Sequence, residues 1–223
     1  MPVYQLPDDH IWFPDPSEFD GDVVAVGGDL SIERLLTAYS LGIFPWYNDP
    51  GEMVWWCPAD RCVLYLDQLK ISHSMRNIIN RKIFTVTMDK DFNGVIEGCR
   101  AGDRKHATWL LDEMADAYNE LHRMGLAHSV EVWQDDKLVG GLYGVSLGHM
   151  FFGESMFSLA PNSSKAGFIF LVEHLKKLGW PMIDCQVFNP HLGSLGAVNI
   201  PRAEFLAILD EELKHDTLQR SWQ

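Results

Sequence analysis

Residues 128–158 run HSVEVWQDDKLVGGLYGVSLGHMFFGESMFS, and the reading of this stretch decides the fold. Val, Leu, Tyr, Trp and Phe dominate three segments, His128–Gln134, Lys137–Ser146 and His149–Ser158, each of strand length and strand composition. The first two meet at Asp135-Asp136, a short polar turn, so the three form an antiparallel meander. Downstream, SSKAGFIFLVEHLKKL (163–178) reads as a helix, with Asn162 or Ser163 as its N-cap and Gly179 as its stop. A strand over Pro181–Val187 must then return to the sheet. Meander, helix and returning strand predict an α/β (α+β) fold: a mixed, mostly antiparallel sheet with flanking helices.

Upstream of the meander the pattern predicts helices over 72–81, 91–100 and 112–124 and a strand over 83–88. In the last of these helices Met114, Tyr118 and Leu121 recur at spacings of four and three, which makes them a core stripe, and Gly125 ends it. Short helices over 191–196 and 202–213 close the chain. The first sixty or so residues differ, being rich in Pro, Gly and aromatics, with one clear helix over 31–41 capped by Asp29 or Ser31 and followed by Gly42. GIFPWYNDPGEMVWWCP (42–58) reads there as a loop packed over something large. The chain accordingly divides into a small irregular N-terminal domain, 1–61, and a larger domain, 62–223.

The length, 223 residues, suffices for a substantial core. No apolar stretch of membrane-spanning length is present and MPVYQLPDDH has no signal-peptide character, so a cytoplasmic protein is expected. Cys57, Cys62, Cys99 and Cys185 show no metal-type spacing and read as reduced thiols. A formal net charge of −13 argues against a protein that coats nucleic acid and favours a cationic partner. One exception stands out: from Lys70 to Met88 there is no acidic residue, while Lys70, Arg76, Arg81 and Lys82 form a confined basic patch.

Alternation in PMIDCQV (181–187) puts Asp184 and Gln186 on one face of the strand and Ile183, Cys185 and Val187 on the other. A carboxylate in so apolar a strand needs a partner. Either Asp184 accepts from the Gln186 carboxamide and polarises it, or it is a buried acid satisfied by backbone or Arg. A rival use of the strand, Cys185 as nucleophile with His191 as base, is disfavoured because nothing nearby would lower the thiol's pKa. In FFGESMFS (151–158), Glu154 sits among Phe151, Phe152, Met156 and Phe157 and requires a cation or a donor, with Lys165, Arg202 or a charged substrate group as its partner. Trp46, Trp109, Leu142, Phe151, Met156 and Phe168 could line an apolar cavity, although each by itself is more often plain core. No Gly-rich turn leads into the helix at Ser163, which weakens a CoA reading.

Eight short motifs carry a resemblance: GGDLSIERLLTAYSLGIFPWY (27–47), VWWCP (54–58), TWLLDEMADAY (108–118), AHSVEVW (127–133), LVGGLYG (138–144), FFGESMFS (151–158), IDCQ (183–186) and HLGSLGA (191–197). Together and in register they resemble the leucyl/phenylalanyl-tRNA-protein transferases. The resemblance implies a small N-terminal domain joined to an acetyltransferase-like domain. It implies transfer of Leu or Phe, and less readily Met, from aminoacyl-tRNA to proteins that begin with Arg or Lys, marking them for N-end-rule degradation, with no metal and no CoA. By motif, Asp184 and Gln186 are the catalytic pair and Glu154 binds the acceptor end. Trp46, Trp109, Leu142, Phe151, Met156 and Ile183 form the side-chain pocket, to which the apolar-cavity reading adds Phe168, and Asn189 helps place the tRNA end. Arg76, Arg81 and Lys82 meet the acceptor stem, and a monomer is expected. The chain departs from the pattern at Cys57, Leu142 and His73, where Ser, Met and Arg are expected; the last removes a fixed positive charge from the patch.

Overall fold

The computed structural model describes residues 3–7, 9–47, 53–101 and 110–223. In chain order the elements are β1 (Tyr4–Gln5), β2 (Val23–Val26), α1 (Ile32–Ser40), β3 (Phe44–Pro45), β4 (Val54–Trp56), β5 (Asp60–Tyr65), α2 (His73–Asn80), β6 (Thr85–Met88), α3 (Phe92–Arg100), α4 (Asp112–Arg123), β7 (Ala127–Gln134), β8 (Lys137–Leu147), β9 (Met150–Ser158), α5 (Ser163–Lys177), β10 (Met182–Gln186), α6 (Pro190–Leu195), β11 (Val198–Pro201) and α7 (Arg202–Glu212). Strands β1, β2, β4 and β3 form a small sheet in that order, and the large sheet runs β11-β5-β10-β9-β8-β7-β6.

The meander is β6 to β9, antiparallel throughout. Asp135 and Asp136 turn β7 into β8 with both φ angles positive, 50° and 57°, the left-handed geometry that a two-residue hairpin loop demands. α5 is the crossover between β9 and β10, which pair parallel. The mixed, mostly antiparallel sheet with helices on its faces is therefore the observed fold. Among the described residues, no helix is long and apolar enough to cross a membrane.

Three local readings are corrected. The run 42–58 is not wholly a loop, because β3 and β4 lie within it and pair antiparallel. β5 and β11 went unread; their short runs gain strand conformation from pairing with each other and, through β5, with β10. Asn162 occupies the cap position of α5 in the left-handed region (φ 69°) and makes no side-chain capping bond there.

Helices cover both faces of the large sheet. Phe92, Val95 and Ile96 of α3 and Met114, Tyr118 and Leu121 of α4 pack on Tyr143, Val145 and Phe152, in a core continuous with Leu35, Tyr39 and Trp55 of the N-terminal segment. On the other face Phe168, Ile169 and Val172 of α5 and Met75 of α2 pack on Val130, Leu142, Phe151 and Ile183. Arg202, buried at the start of α7, fastens the N-terminal segment to the large sheet by donating to the carbonyls of Pro16 (2.8 Å), Phe19 (2.7 Å) and Gly21. A buried guanidinium spread over several carbonyls keeps its donors satisfied without a carboxylate.

Candidate active site

The parallel pairing of β9 with β10 is brief: Ile183 lies opposite Phe151 and Asp184 opposite Phe152. Both strands then depart from regular geometry. In β9 the register with β8 slips at Glu154, since Tyr143 faces Ser155 while Gly144 faces Gly153. A bulge of this kind re-aims a side chain. Gly144 allows it, because a Cβ there would stand 2.2 Å from the Phe152 carbonyl oxygen. In β10 the register with β5 slips between Asp184 and Gln186, and Gln186 has φ 61° while Val187 N–H bonds back to the Cys185 carbonyl at 2.8 Å. A non-glycine residue in such a tight turn costs about 1–3 kcal/mol and needs support from its surroundings.

A cavity of about 950 Å³ opens where the two strands diverge. Ligands of α/β sheets collect at this kind of place, beyond the carboxyl ends of parallel strands. Trp46, Leu142, Phe151, Met156, Phe168 and Ile183 all line it, while Trp109 lies outside the described residues. Glu154 and Gln186 also stand on its wall, as does Asn189, whose Oδ1 accepts from Leu192 N–H (2.9 Å) and caps α6. Arg76, Arg81 and Lys82 do not reach the cavity. They stand exposed on and just after α2, with no carboxylate in ion-pair range among the described residues.

Asp184 and Gln186 are joined differently from the relay expected. Asp184 is fully buried and off the cavity wall, and Arg61 holds it from two sides, Nε to Oδ1 at 2.8 Å and Nη2 to Oδ2 at 2.6 Å. The guanidinium is itself clamped between the rings of Phe44 (4.8 Å) and Phe205 (4.5 Å). Asp184 Oδ1 also accepts from the backbone N–H of Gln186, at 2.9 Å. The Gln186 carboxamide goes elsewhere, donating to Glu154 Oε1 at 2.8 Å. The bulge breaks the alternation that would have kept the two side chains side by side.

Glu154 has neither Lys165 nor Arg202 as partner; Lys165 donates to Ser194 (3.1 Å) and Arg202 to backbone. Its donors are neutral: Tyr39 hydroxyl to Oε1 (2.8 Å), Tyr118 hydroxyl to Oε2 (2.7 Å) and the Gln186 amide. Burial pushes its carboxyl up to about 7, although the hydroxyl and amide donors pull the other way. Burial likewise raises the phenols of Tyr39 and Tyr118 well above their ordinary range, so both are neutral. Cys185 makes no nucleophile: its contact with Cys62 and its burial raise the thiol well above the ordinary value.

Sequence reasoning did not assign Arg61 or Tyr39 to this site, and it read Tyr118 as core alone. The demand of Asp184 for a buried partner was visible, but strand β5, which supplies Arg61, was not. Nothing in the helical patterns of 31–41 or 112–124 announces that a hydroxyl from each would converge on one carboxylate.

An apolar chamber that ends on a protonatable carboxyl and a strained amide is the site of an enzyme that handles an apolar group beside a polar reacting centre. Comparison with known proteins places that enzyme: the family described as leucyl/phenylalanyl-tRNA protein transferase matches residues 63–210, and the N-terminal domain of that family matches residues 28–59. A leucyl/phenylalanyl-tRNA--protein transferase of Flavobacterium johnsoniae is 54% identical over 202 residues, covering 89% of this chain and 95% of its own. Another so named, of Syntrophus aciditrophicus, is 49% identical over 225 residues, covering all of this chain and 94% of its own. The chain belongs to the leucyl/phenylalanyl-tRNA protein transferase family and is a tRNA-dependent aminoacyltransferase.

Proposed function

We propose that the chain moves a leucyl or phenylalanyl group, and a methionyl group less readily, from aminoacyl-tRNA to the α-amine of an acceptor protein that begins with Arg or Lys, marking it for N-end-rule degradation. The observation that carries this reading is the cavity: apolar side chains, Trp46, Leu142, Phe151, Met156, Phe168 and Ile183 among them, around about 950 Å³, with Glu154 and Gln186 on the same wall. An aminoacyl side chain fits the apolar part and the amine meets the polar part. The reaction is aminolysis of an ester that is already activated, so neither ATP, CoA nor a metal is called for. Gln186 offers its carboxamide oxygen to the incoming amine, because its N–H is committed to Glu154. Asp184 acts on Gln186 through the backbone, by accepting its N–H and holding the tight turn.

The net charge of −13 favours an acceptor with both a cationic side chain and an α-ammonium. The exposed patch Arg76, Arg81 and Lys82 takes phosphates of the acceptor stem, with Asn189 near the terminal adenosine. Residues 1–61 and 62–223 act as the two domains of one monomeric cytoplasmic enzyme, the first contributing Tyr39 and Trp46.

Incubation with labelled leucyl-tRNA and two peptides, one beginning with Arg and one with Glu, tests the reading. Label is expected on the Arg peptide alone; equal labelling of both, or none, would overturn it. Replacement of Arg76, Arg81 and Lys82 by Ala should weaken leucyl-tRNA binding and flatten its dependence on salt, by a slope of roughly 0.7–0.9 for each phosphate that is no longer neutralised.

A further inference from the structure

The oxygens of Tyr39, Tyr118 and Glu154 form a closed triangle. Tyr39 Oη stands 2.8 Å from Tyr118 Oη and 2.8 Å from Glu154 Oε1, and Tyr118 Oη stands 2.7 Å from Glu154 Oε2. Oxygen pairs at these distances are held together by a hydrogen between them. Three contacts need three hydrogens, and two neutral phenols own only two. With Glu154 ionised, both phenols donate to the carboxylate and the Tyr39–Tyr118 contact brings two lone pairs face to face. With Glu154 protonated the count closes: the carboxyl donates to one phenol, that phenol to the other, and the second phenol back to the carboxyl. The triangle is thus built to receive one proton.

A proton needs somewhere to go in this reaction. The acceptor arrives as an ammonium, which has no free electron pair and cannot attack a carbonyl. Gln186 is a weak base, and Asp184 is sealed behind the Arg61 ion pair. His191 also lines the cavity, but among the described residues Glu154 is the basic group bonded to Gln186, half-buried and on the cavity wall.

We infer that Glu154 is the catalytic base that takes the proton of the incoming α-ammonium, and that Tyr39 and Tyr118 are positioning residues that store this proton in the closed triangle. The inference rests on the proposed reading of the cavity as the aminoacyl site. The balance is complete: the ammonium gives one proton to the Glu154 carboxylate and becomes an amine. The C–N bond then forms as the ester C–O bond breaks, and the second N–H proton leaves with the ribose oxygen. Glu154 releases its proton to solvent before the next turnover. In the ionised form both phenols and the Gln186 amide donate to the carboxylate, which offsets part of the effect of burial and leaves the carboxyl at about 7.

The groups facing Glu154 come from every side. They are Tyr39 of α1, Tyr118 of α4, Tyr143 of β8, and Asp184 and Gln186 of β10, with Arg61 of β5 behind Asp184. Among these, only Tyr39, Tyr118 and Gln186 bond to the carboxylate. Removing a phenol takes away a donor to the charged form, and so moves its titration to higher pH.

The test is the pH dependence of single-turnover transfer from leucyl-tRNA to an Arg peptide, for wild type, Tyr39→Phe, Tyr118→Phe and Glu154→Gln. Wild-type transfer is itself the control for the proposed function; its absence would indict that reading and leave the proton assignment to a second measurement. That measurement is carbon-13 NMR titration of the free protein labelled at Glu carboxyls. In kinetics, an acid limb is expected in wild type, displaced upward in each Phe variant, with Glu154→Gln lower by about 10²–10⁴-fold and lacking the limb. In NMR, one Glu resonance should titrate near neutrality, vanish in Glu154→Gln and move upward in the Phe variants. An unmoved limb in both Phe variants, a Glu154→Gln rate equal to wild type, or a Glu154 resonance that titrates in the ordinary carboxylate range would overturn the inference. The acceptor's own amine is common to all variants and cannot produce a shift between them.

Discussion

Asp184 and Glu154 stand on adjacent parallel strands, with Asp184 opposite Phe152, two residues before Glu154, yet the protein neutralises them in opposite ways. Asp184 meets a full positive charge in fixed two-point geometry and has no exposed surface. Glu154 meets two phenols and an amide, and faces a cavity. A buried ion pair with both partners held in fixed geometry serves as a frame. A carboxylate held by neutral donors can gain or lose a proton while its partners rearrange. Gln186 connects the two, its backbone N–H on Asp184 and its side chain on Glu154. The frame and the proposed proton site are thus joined through one residue.

The largest effect should come from breaking the frame. Asp184→Ala leaves Arg61 buried without its partner, and urea unfolding should show a loss of about 3–5 kcal/mol. The double variant Asp184→Leu with Arg61→Met should recover most of that stability, since apolar residues of similar size replace such pairs well. A single variant as stable as wild type would mean that the pair is no frame.

Next in size is Gln186→Gly. Glycine tolerates φ 61° freely, so the variant should equal or exceed wild type in stability by up to about 1 kcal/mol while transfer collapses for want of the carboxamide. Loss of both stability and activity would show that the side chain, rather than the backbone bond to Asp184, holds the turn.

A smaller effect separates the two carboxylates by pH. Glu154 is raised to about 7 in the fold, against an ordinary 4.5, so the folded state holds a proton that the unfolded chain has released across that window. Its contribution to stability is greatest below 4.5 and falls as pH climbs to 7. Glu154→Gln removes this fall, and its melting temperature relative to wild type should be higher at about pH 8 than at about pH 5. An equal difference at both would place the Glu154 titration outside that window.

Much of the scaffold was readable in the chain. The meander from β6 to β9, α5 as crossover and the return of β10 follow from apolar spacing and turn residues, which are local properties. The two strands on the far edge, β5 and β11, were not readable, because a run such as Asp60–Tyr65 is made a strand by its neighbours. With β5 unread, Arg61 had no place beside Asp184. The predicted polar residues did meet, yet the contact between Asp184 and Gln186 proved to run through backbone, because the bulge in β10 overrides the alternation from which it was inferred.

By itself the sequence determined which side chains could not stay unpartnered: a carboxylate in PMIDCQV, another in FFGESMFS, and a set of apolar residues too large and too many for a surface. Residue chemistry and local periodicity suffice for that. Only the tertiary structure decided who the partners are, bringing Arg61 across 123 positions to Asp184 and Tyr39 across 115 to Glu154. The reason is physical: a buried charge specifies that it must be compensated, but whether a guanidinium or a pair of hydroxyls does so depends on which strands and helices pack together.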